Sequence, residues 1–393
     1  MTLPTGENPI SFSQIRTEFG DGTNTSTSPV RLGQYRTTDP SFTNESPGDF
    51  SNLPLDTGIP TSGAINVDSF HGKKLNVIID YYSGSTENRP NVARTKYQAA
   101  SASGNRVVVG GYKDRVINDS SGSKVIIHVN KTIGSSNASA NTCAVRTGTG
   151  WESGTDLSIE IGGSGKIYGA GGNGGAGGGK NGSYSSAESG SNGGTGSSAL
   201  GISYSGTVVN LKSGAVISKG YGGGGGGGSA NGVQEGGGED NLFLEHVGSG
   251  GGGGAGLPVG EGGAVTPRDE DGIAQAHGTS GQAGNAGNDG TTSSAGTGGA
   301  AGSDRNIGEG GYAGGGKGGD GGDSEQSAQA GDPGETESGE WQNGPNAGGG
   351  GAAGGNGAAI RKASGVTWTF GTNLGTVTGS GSGGSGESPT GVS

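Results

Sequence analysis

Hydrophobic and polar residues alternate in several short stretches of the chain, which is the pattern of half-buried β-strands. The alternation is strict in Asp156–Ile161, where leucine or isoleucine occupies every second position. Further β-branched or aromatic stretches, bounded by Gly, Asn, Ser and Asp, are Leu75–Tyr82, Arg106–Tyr112 and Lys124–Val129. The pattern predicts a small all-β domain, a sandwich or jelly roll, over residues 76–161. It returns at Val366–Phe370, which predicts a closing strand within residues 361–393, ahead of a Gly/Ser-rich tail.

Residues 1–75 contain two short helix signals instead. Ser11 and Gln14 form a capping-box pair, and Asn66 begins a second cassette that ends at Gly72. So little apolar mass does not close a core on its own. We therefore interpret this region as an attachment segment with short helical cassettes that lies against another protein or a sister chain; a disordered arm is the alternative. Its expected contact residues are Phe12, Ile15, Phe19, Leu32, Tyr35 and Phe70.

Glycine dominates residues 162–360 and makes up 98 of the 393 residues of the chain. It recurs at every third position, as at Gly169, Gly172, Gly175 and Gly178, and it forms unbroken runs at 222–228 and 250–254. In a left-handed helix with three residues per turn, every third residue lies on one edge. Glycine on that edge lets helices approach backbone to backbone. The spacing predicts a bundle of polyglycine-II helices whose amides bond to neighbouring helices.

An internal repeat supports an ordered bundle. The sequence IEIGGSGKI at 159–167 and the sequence VNLKSGAVI at 209–217 both read as strand, Ser-Gly turn and strand, and each precedes a glycine run. Collagen is excluded because the triplet register slips and proline is scarce. A calcium-binding β-roll lacks its nine-residue period here. A flexible Gly/Ser linker remains an alternative, although the polar loops between the runs argue against it.

Composition and charge narrow the possible functions. Hydrophobic residues are only 27% of the chain, too few for a single apolar enzyme core of this length. The net charge is −12, from 35 acidic and 23 basic residues, which disfavours nucleic acid as a partner. Cys143 is the one cysteine, so neither an internal disulfide nor a Cys-paired zinc site is expected. We find no secretory signal and no apolar stretch of membrane-spanning length.

The glycine runs are separated by insertions that hold the less common residues of this region. We assign them to 180–192, 229–247, 261–280 and 323–343. Large apolar and aromatic groups on loop tips are typical of recognition surfaces. The candidate binding residues are Tyr184, Phe243, Leu244, His246, Asp269, His277 and Trp341.

Catalytic chemistry finds no support in the sequence. The acidic run at 269–271 with His277 is typical of a solvated patch, and the Gly-Lys pairs lack the Ser or Thr of a phosphate-binding loop. We therefore expect a protein that is not an enzyme, with no cofactor and no metal.

The glycine region resembles the distal-tip adhesin of T-even-type phage long tail fibres. The likeness rests on the strand-then-glycine step at 166–169, the run GGGGGAGLP at 250–258, and the GGGGAAGG stretch before the strand at Trp368. The resemblance implies a polyglycine-II bundle whose loops bind an outer-membrane receptor. Separately, residues 10–19, 32–36 and 70–74 are similar to the N-terminal segments of virion tail proteins from cyanophages and other marine phages. No loop residue carries over, because such loops vary.

These observations lead to a first hypothesis, a phage tail fibre or receptor-binding adhesin. Residues 1–75 would dock to tail or baseplate proteins, and the loops would bind a host outer-membrane protein or surface glycan. A homotrimer located in the virion and assembled in the host cytoplasm is expected. The alternative is a structural virion fibre of baseplate, neck or head without receptor binding. An ice-binding or matrix protein is disfavoured because regular Thr or Ala faces are missing.

Overall fold

The computed structural model describes the strand-rich and glycine-rich parts of the chain, with gaps. The described residues are 3–6, 8–19, 32, 59–60, 62–73, 77–81, 87–88, 106–109, 124–135, 138–139, 142–147, 151, 153–179, 187–234, 242–246, 248–265, 290–291, 293–294, 296–300, 313–314, 316–323, 325–336 and 341–379.

Both predicted N-terminal cassettes are confirmed as short helical elements. Helix α1 spans Phe12–Phe19, and a 3-10 helix spans Val67–Phe70. In the first cassette the Ser11 backbone amide donates to Gln14 Oε1 at 2.7 Å, and the Gln14 amide donates to Ser11 Oγ at 3.2 Å. In the second, the Ser69 amide donates to Asn66 Oδ1 at 2.9 Å. The side chains therefore satisfy amides that the first helical turn leaves open.

Parallel strands stacked in three sheets form the conventional core. The strands are β1 (Val77–Tyr81), β2 (Glu87–Asn88), β3 (Arg106–Val109), β4 (Lys124–Val129), β5 (Thr132–Gly134), β6 (Cys143–Arg146), β7 (Asp156–Ile161), β8 (Lys166–Tyr168), β9 (Ser198–Ile202), β10 (Thr207–Leu211), β11 (Val216–Ser218), β12 (Ala230–Gln234), β13 (Leu242–His246), β14 (Ala313–Gly314), β15 (Glu335–Thr336), β16 (Trp341–Ala347), β17 (Ile360–Lys362), β18 (Trp368–Asn373) and β19 (Thr376–Thr378). The sheet orders are β18-β10-β7-β4-β1-β3, β19-β11-β8-β5-β2 and β17-β9-β6. Within these three sheets only the β1–β3 pair is antiparallel among the described strands.

Successive strands visit the three sheets in turn, so the chain winds as a short parallel β-solenoid. Its complete coils are β4-β5-β6, β7-β8-β9 and β10-β11-β17, and β18-β19 form a last partial coil. Aliphatic side chains stack from coil to coil inside it: Ile127 lies beside Ile159, and Ile159 beside Val209. Cys143 is buried on β6, as expected for a small strand residue.

The predicted sandwich or jelly roll over 76–161 is therefore wrong. The strands of that region pair in parallel with strands near 167, 200 and 210, and these pair in turn with strands near 217, 361 and 370. The predicted boundary at residue 161 falls inside one continuous stack. The expected repeat is confirmed, because β10 lies beside β7 and β11 beside β8. The closing strand is confirmed as β18, and residues 380–393 of the predicted tail lie outside the described part.

The glycine-rich region consists of extended segments inserted between sheets two and three of the solenoid. Segments 1 and 2 lie between β8 and β9, and segments 3 to 9 lie between β11 and β17. We number them in chain order: 1 (169–178), 2 (188–197), 3 (220–229), 4 (248–256), 5 (258–264), 6 (296–299), 7 (316–322), 8 (329–334) and 9 (348–357).

Backbone hydrogen bonds join these segments with a three-residue period. The amides of Gly172, Gly175 and Gly178 in segment 1 donate to the carbonyls of Tyr221, Gly224 and Gly227 in segment 3, each at 2.8 Å. The amides of Gly171, Gly174 and Gly177 donate instead to carbonyls of segment 5. One segment thus bonds to different neighbours along its successive edges, unlike a β-strand, which bonds to two.

Segment 3 lies at the centre of the array. Six segments surround it, namely 1, 2, 9, 8, 7 and 4, and each neighbouring pair in that ring is itself hydrogen-bonded. The run Gly222–Gly228 is fully satisfied: each carbonyl accepts an amide from another segment, and each amide donates to a carbonyl, except that of Gly222, which donates to Asn356 Oδ1 at 2.9 Å. Backbone pairing across three dimensions therefore replaces apolar burial in this part of the chain.

Candidate functional site

The direction of each segment shows where the connections lie. Segments 1 and 3 begin directly after solenoid strands, and segments 5 and 8 run parallel to them, so all four run away from the solenoid. Segments 2, 4, 7 and 9 are antiparallel to segment 3 and run back. Segment 6 is antiparallel to segment 4 and runs outward. We call the end of the bundle opposite the solenoid the loop end.

Short turns join segments at the solenoid end, whereas longer stretches of chain follow the segments that end at the loop end. At the solenoid end, Leu257 and Pro258 join segments 4 and 5, and the Leu257 carbonyl accepts the Ser135 amide at 2.9 Å, which ties the bundle to the solenoid. Asp323 closes another turn, where its Oδ1 accepts the amides of Glu325 and Gln326. The long insertions leave from the loop end, at 180–187, 230–247, 266 onward, 301–315 and 335–347.

Two of these insertions meet in one antiparallel sheet. Strands β13 and β16 flank β12. At the loop end, β12 directly follows segment 3 and β16 leads directly into segment 9. Val233 of β12 pairs with Phe243 on one side and Asn343 on the other, and Gln234 pairs with Leu242 and Trp341. A second, two-stranded sheet of β14 and β15 belongs to the same end. We call the three-stranded sheet the loop-end sheet.

The predicted binding residues divide into two groups. Phe243, Leu244 and His246 lie on β13 and Trp341 lies on β16, so two predicted loops contribute to one sheet across β12. Tyr184, Asp269 and His277 lie outside the described residues. That the four strand residues bind a receptor stays a prediction.

Sequence reasoning missed the loop-end sheet and drew the insertion limits too wide. Residues 188–192, 261–264 and 329–334 are bundle segments that bond to neighbours, not loops. The signal for β12 was present in ANGVQ, a short stretch directly after the heptaglycine run. Its few apolar residues are too weak a strand signal without the partner strands.

The expected attachment residues differ in how deeply their side chains are buried. Ile15 and Phe70 are fully buried. Two other apolar residues of the same region, Leu3 and Ile59, are at most 3% exposed. Phe12 is 40% exposed on α1, and Leu32 is half-buried. The side chain of Phe19 and all of Tyr35 lie outside the described part. Among the expected attachment residues whose side chains the structure describes, Phe12 is thus the most exposed, and docking itself stays a prediction.

The junction between solenoid and bundle carries the perturbed ionisable groups. Burial raises the pKa of Tyr168 and of Tyr221, and burial lowers the pKa of Lys219. Lys219 Nζ lies 4.9 Å from the centre of the Tyr221 ring, and Tyr221 also hydrogen-bonds to Ser218 and Thr378. These groups fill the base of segment 3 and offer no open cleft, since Tyr221 is 5% exposed.

The described residues contain neither a group of metal ligands nor a membrane-spanning helix. No three His, Cys, Asp or Glu side chains cluster there as metal ligands. Within the described ranges, no helix is long and apolar enough to cross a bilayer.

Comparison with known proteins gives one distant likeness. No protein-family model matches the chain, and no curated protein sequence matches it either. Among solved structures, it is similar to the gp37-gp38 adhesin tip complex of the bacteriophage S16 long tail fibre, with 17% identity over 90% of this chain and 99% of that chain and a TM-score of 0.34. A likeness this distant does not assign a function to the chain.

Proposed function

We propose that this protein is a bacteriophage tail-fibre adhesin that binds a host cell-surface receptor through the loop end of its glycine bundle. The observation that carries the proposal is the separation of the two ends. Turns of a few residues close the solenoid end, whereas the long insertions leave from the opposite end. A scaffold that presents varied loops at one end is typical of recognition proteins.

We infer that the nine segments are polyglycine-II helices. Support comes from the three-residue hydrogen-bond period and from the six neighbours around segment 3. Such a scaffold suits an adhesin physically. Its stability rests on main-chain bonds between segments, so the loop sequences are free to change without loss of the core.

The proposal also covers the docking partner, the receptor class, the location and the oligomeric state of the protein. The N-terminal segment docks to phage tail or baseplate proteins, and the receptor is an outer-membrane protein or a surface glycan. The protein acts in the virion, as a homotrimer, and without enzymatic activity. The exposed Phe12 on α1 supports docking through the N-terminal segment.

Adsorption of virions tests the proposal. Particles that carry Phe243→Ala with Trp341→Ala are expected to assemble normally and to adsorb to host cells at least tenfold more slowly. The matched control is Leu374→Ala, which removes an apolar side chain, 66% exposed, from the solenoid. Unchanged adsorption of the double variant, together with unchanged adsorption when antibody covers the loop end, would instead indicate a structural virion fibre.

A further inference from the structure

The register of the loop-end sheet gathers amide and carboxylate residues into one cross-strand row. Asn231 of β12 pairs with Glu245 of β13 and with Asn346 of β16. Residues in register across an antiparallel pair share a face of the sheet. Three polar residues of hydrogen-bonding type are therefore placed side by side, although they lie far apart in the sequence.

The next row on the same face adds an aromatic residue. Positions two apart along a strand share a face, so Val233 lies on the face of Asn231, and its register partners are Phe243 and Asn343. The β16 pairing shifts between these two rows, and this bulge lets Asn343 and Asn346, three residues apart, each pair with a residue of that face. We call these six positions the amide face: Asn231, Val233, Phe243, Glu245, Asn343 and Asn346.

The opposite face has a different composition. Its rows contain Leu244 opposite Gly232, and Leu242 with Trp341 opposite Gln234. That face is mostly apolar, whereas the amide face holds three asparagines and one glutamate. Of the residues predicted from the sequence to bind, Phe243 alone belongs to the amide face.

The charge of the three strands limits the ligand class. They contain no Lys and no Arg, and Glu245 is their one acidic residue. Phosphate, sulfate and sugar carboxylates are recognised by cationic groups, so anionic ligands do not fit this face. Asparagine amides both donate and accept hydrogen bonds, and carboxylates accept them, which matches the paired donor and acceptor character of sugar hydroxyls. An aromatic residue on the same face of the sheet can offer an apolar surface to the C–H face of a pyranose.

We infer that the amide face of the loop-end sheet is a binding site for neutral hexose units of a cell-surface glycan. The inference rests on the proposed adhesin function and names its receptor class. Strands lie about 4.8 Å apart and same-face residues about 6.8 Å apart along a strand, so two rows of three positions match one or two sugar rings. Asn231, Glu245 and Asn346 supply the hydrogen bonds, and Phe243 supplies the stacking surface.

An array of immobilised oligosaccharides tests the inference with the purified full chain. Probes are neutral glucose-, galactose-, mannose- and N-acetylhexosamine-containing oligosaccharides, with sialylated, sulfated and phosphorylated versions of the same chains. We expect binding to a subset of the neutral probes and at least fivefold weaker binding to the anionic versions.

Phe243→Ala and Asn231→Ala should each weaken binding to the neutral probes at least tenfold. The matched control Leu242→Ala, one residue away on the opposite face, should change it less than threefold. Circular dichroism of each variant shows whether it is folded.

Two results would overturn the inference: no binding to any neutral probe, or equal losses from Leu242→Ala and Phe243→Ala in folded variants. Binding of the chain to host cells separates this failure from failure of the proposed function. If protease treatment of the cells abolishes binding and periodate oxidation of their sugars does not, the chain is an adhesin for a protein and the glycan site is wrong. If the chain does not bind untreated host cells and does not compete with virions for adsorption, the adhesin function itself is wrong.

Discussion

The need for glycine at a bundle position depends on what surrounds that position. A Cβ atom at Gly224, in the central segment 3, would overlap the carbonyl group of Gly319 in segment 7. A Cβ atom at Gly355, on the outer edge of segment 9, would meet nothing closer than a Thr195 methyl group at 3.7 Å. Asn173 of segment 1, Lys317 of segment 7 and Ala352 of segment 9 are non-glycine residues at exposed positions. A segment with six neighbours has no free edge, which explains the unbroken run at 222–228.

Alanine substitutions at these two glycines are expected to have opposite effects on stability. Gly224→Ala should lower the free energy of unfolding by about 3 kcal/mol or more, because neither backbone can move without breaking further hydrogen bonds. Gly355→Ala should leave it unchanged or raise it by up to about 1 kcal/mol, because alanine restricts the unfolded chain. Denaturant titration of the two variants and the unsubstituted chain measures both values. Equal tolerance of the two substitutions would contradict the close packing described for segment 3.

Tyr221 is the large side chain of segment 3, and it lies where segment 7 has ended. Its phenol is buried against the turn at Asp323 and bonds to Ser218 and Thr378 of the solenoid. Burial raises its pKa above the ordinary value of 10.0, so the folded protein retains this proton at a pH at which the unfolded chain loses it. Tyr221 therefore contributes stability that is present below pH 10 and is lost as the pH rises through the raised pKa. Lys219 acts in the opposite sense, because its pKa is lowered from 10.5 and the unfolded chain binds the extra proton.

Tyr221→Phe is expected to change both the stability and its pH dependence. At pH 7 the variant should be about 1–2 kcal/mol less stable, because the hydroxyl bonds to Ser218 and Thr378 are gone. Above pH 10 this deficit should shrink, since phenylalanine has no proton to lose. Thermal unfolding of both proteins between neutral and alkaline pH measures the difference. A deficit that stays constant above pH 10 would contradict a buried, protonated Tyr221.

At the scale of secondary-structure elements, local signals were predictable and long-range pairing was not. The capping residues Ser11 and Asn66 and the alternation at 156–161 each predicted the observed element. The sandwich was wrong because alternation identifies a strand with one buried face and does not identify its partner. The partners of β7 are β4 and β10. The chain leaves the solenoid to form the bundle twice, once between β8 and β9 and once between β11 and β17. That diversion hides the regular coil length by which a solenoid is recognised.

In the candidate site, too, local features were predictable from the sequence and the pairing of strands was not. The glycine spacing predicted that variable segments lie at segment ends, and Phe243 and Trp341 were identified by their type alone. The amide face was not predictable, because Asn231, Glu245 and Asn346 become neighbours only through the β12–β13 and β12–β16 pairings. An isolated asparagine beside glycine is typical of a turn, and nothing in the local sequence distinguishes that role from a place in a strand.

At the scale of the whole molecule, two kinds of interior share one chain. The solenoid buries stacked aliphatic side chains such as Ile127, Ile159 and Val209, whereas the bundle buries peptide groups. Both ends of the bundle insertions are anchored, because segments 1 and 3 continue solenoid strands and segments 2 and 9 lead back into them. The insertions at the loop end can therefore vary while the anchors stay constant, as the proposed adhesin function requires.

The mixed interior predicts an unusual heat capacity of unfolding. Exposure of apolar surface raises the heat capacity and exposure of polar surface lowers it, and ordinary domains gain about 12–15 cal/mol/K per residue. Unfolding of the bundle exposes mainly peptide groups, since glycine has no side chain, so this chain should gain less than about two thirds of that value. The curve of stability against temperature is then flatter than that of an ordinary protein of its size. Differential scanning calorimetry over a range of pH measures the quantity, with an all-β protein of similar length as the control. An ordinary value per residue would mean that side-chain burial, and not main-chain pairing, holds the glycine segments together.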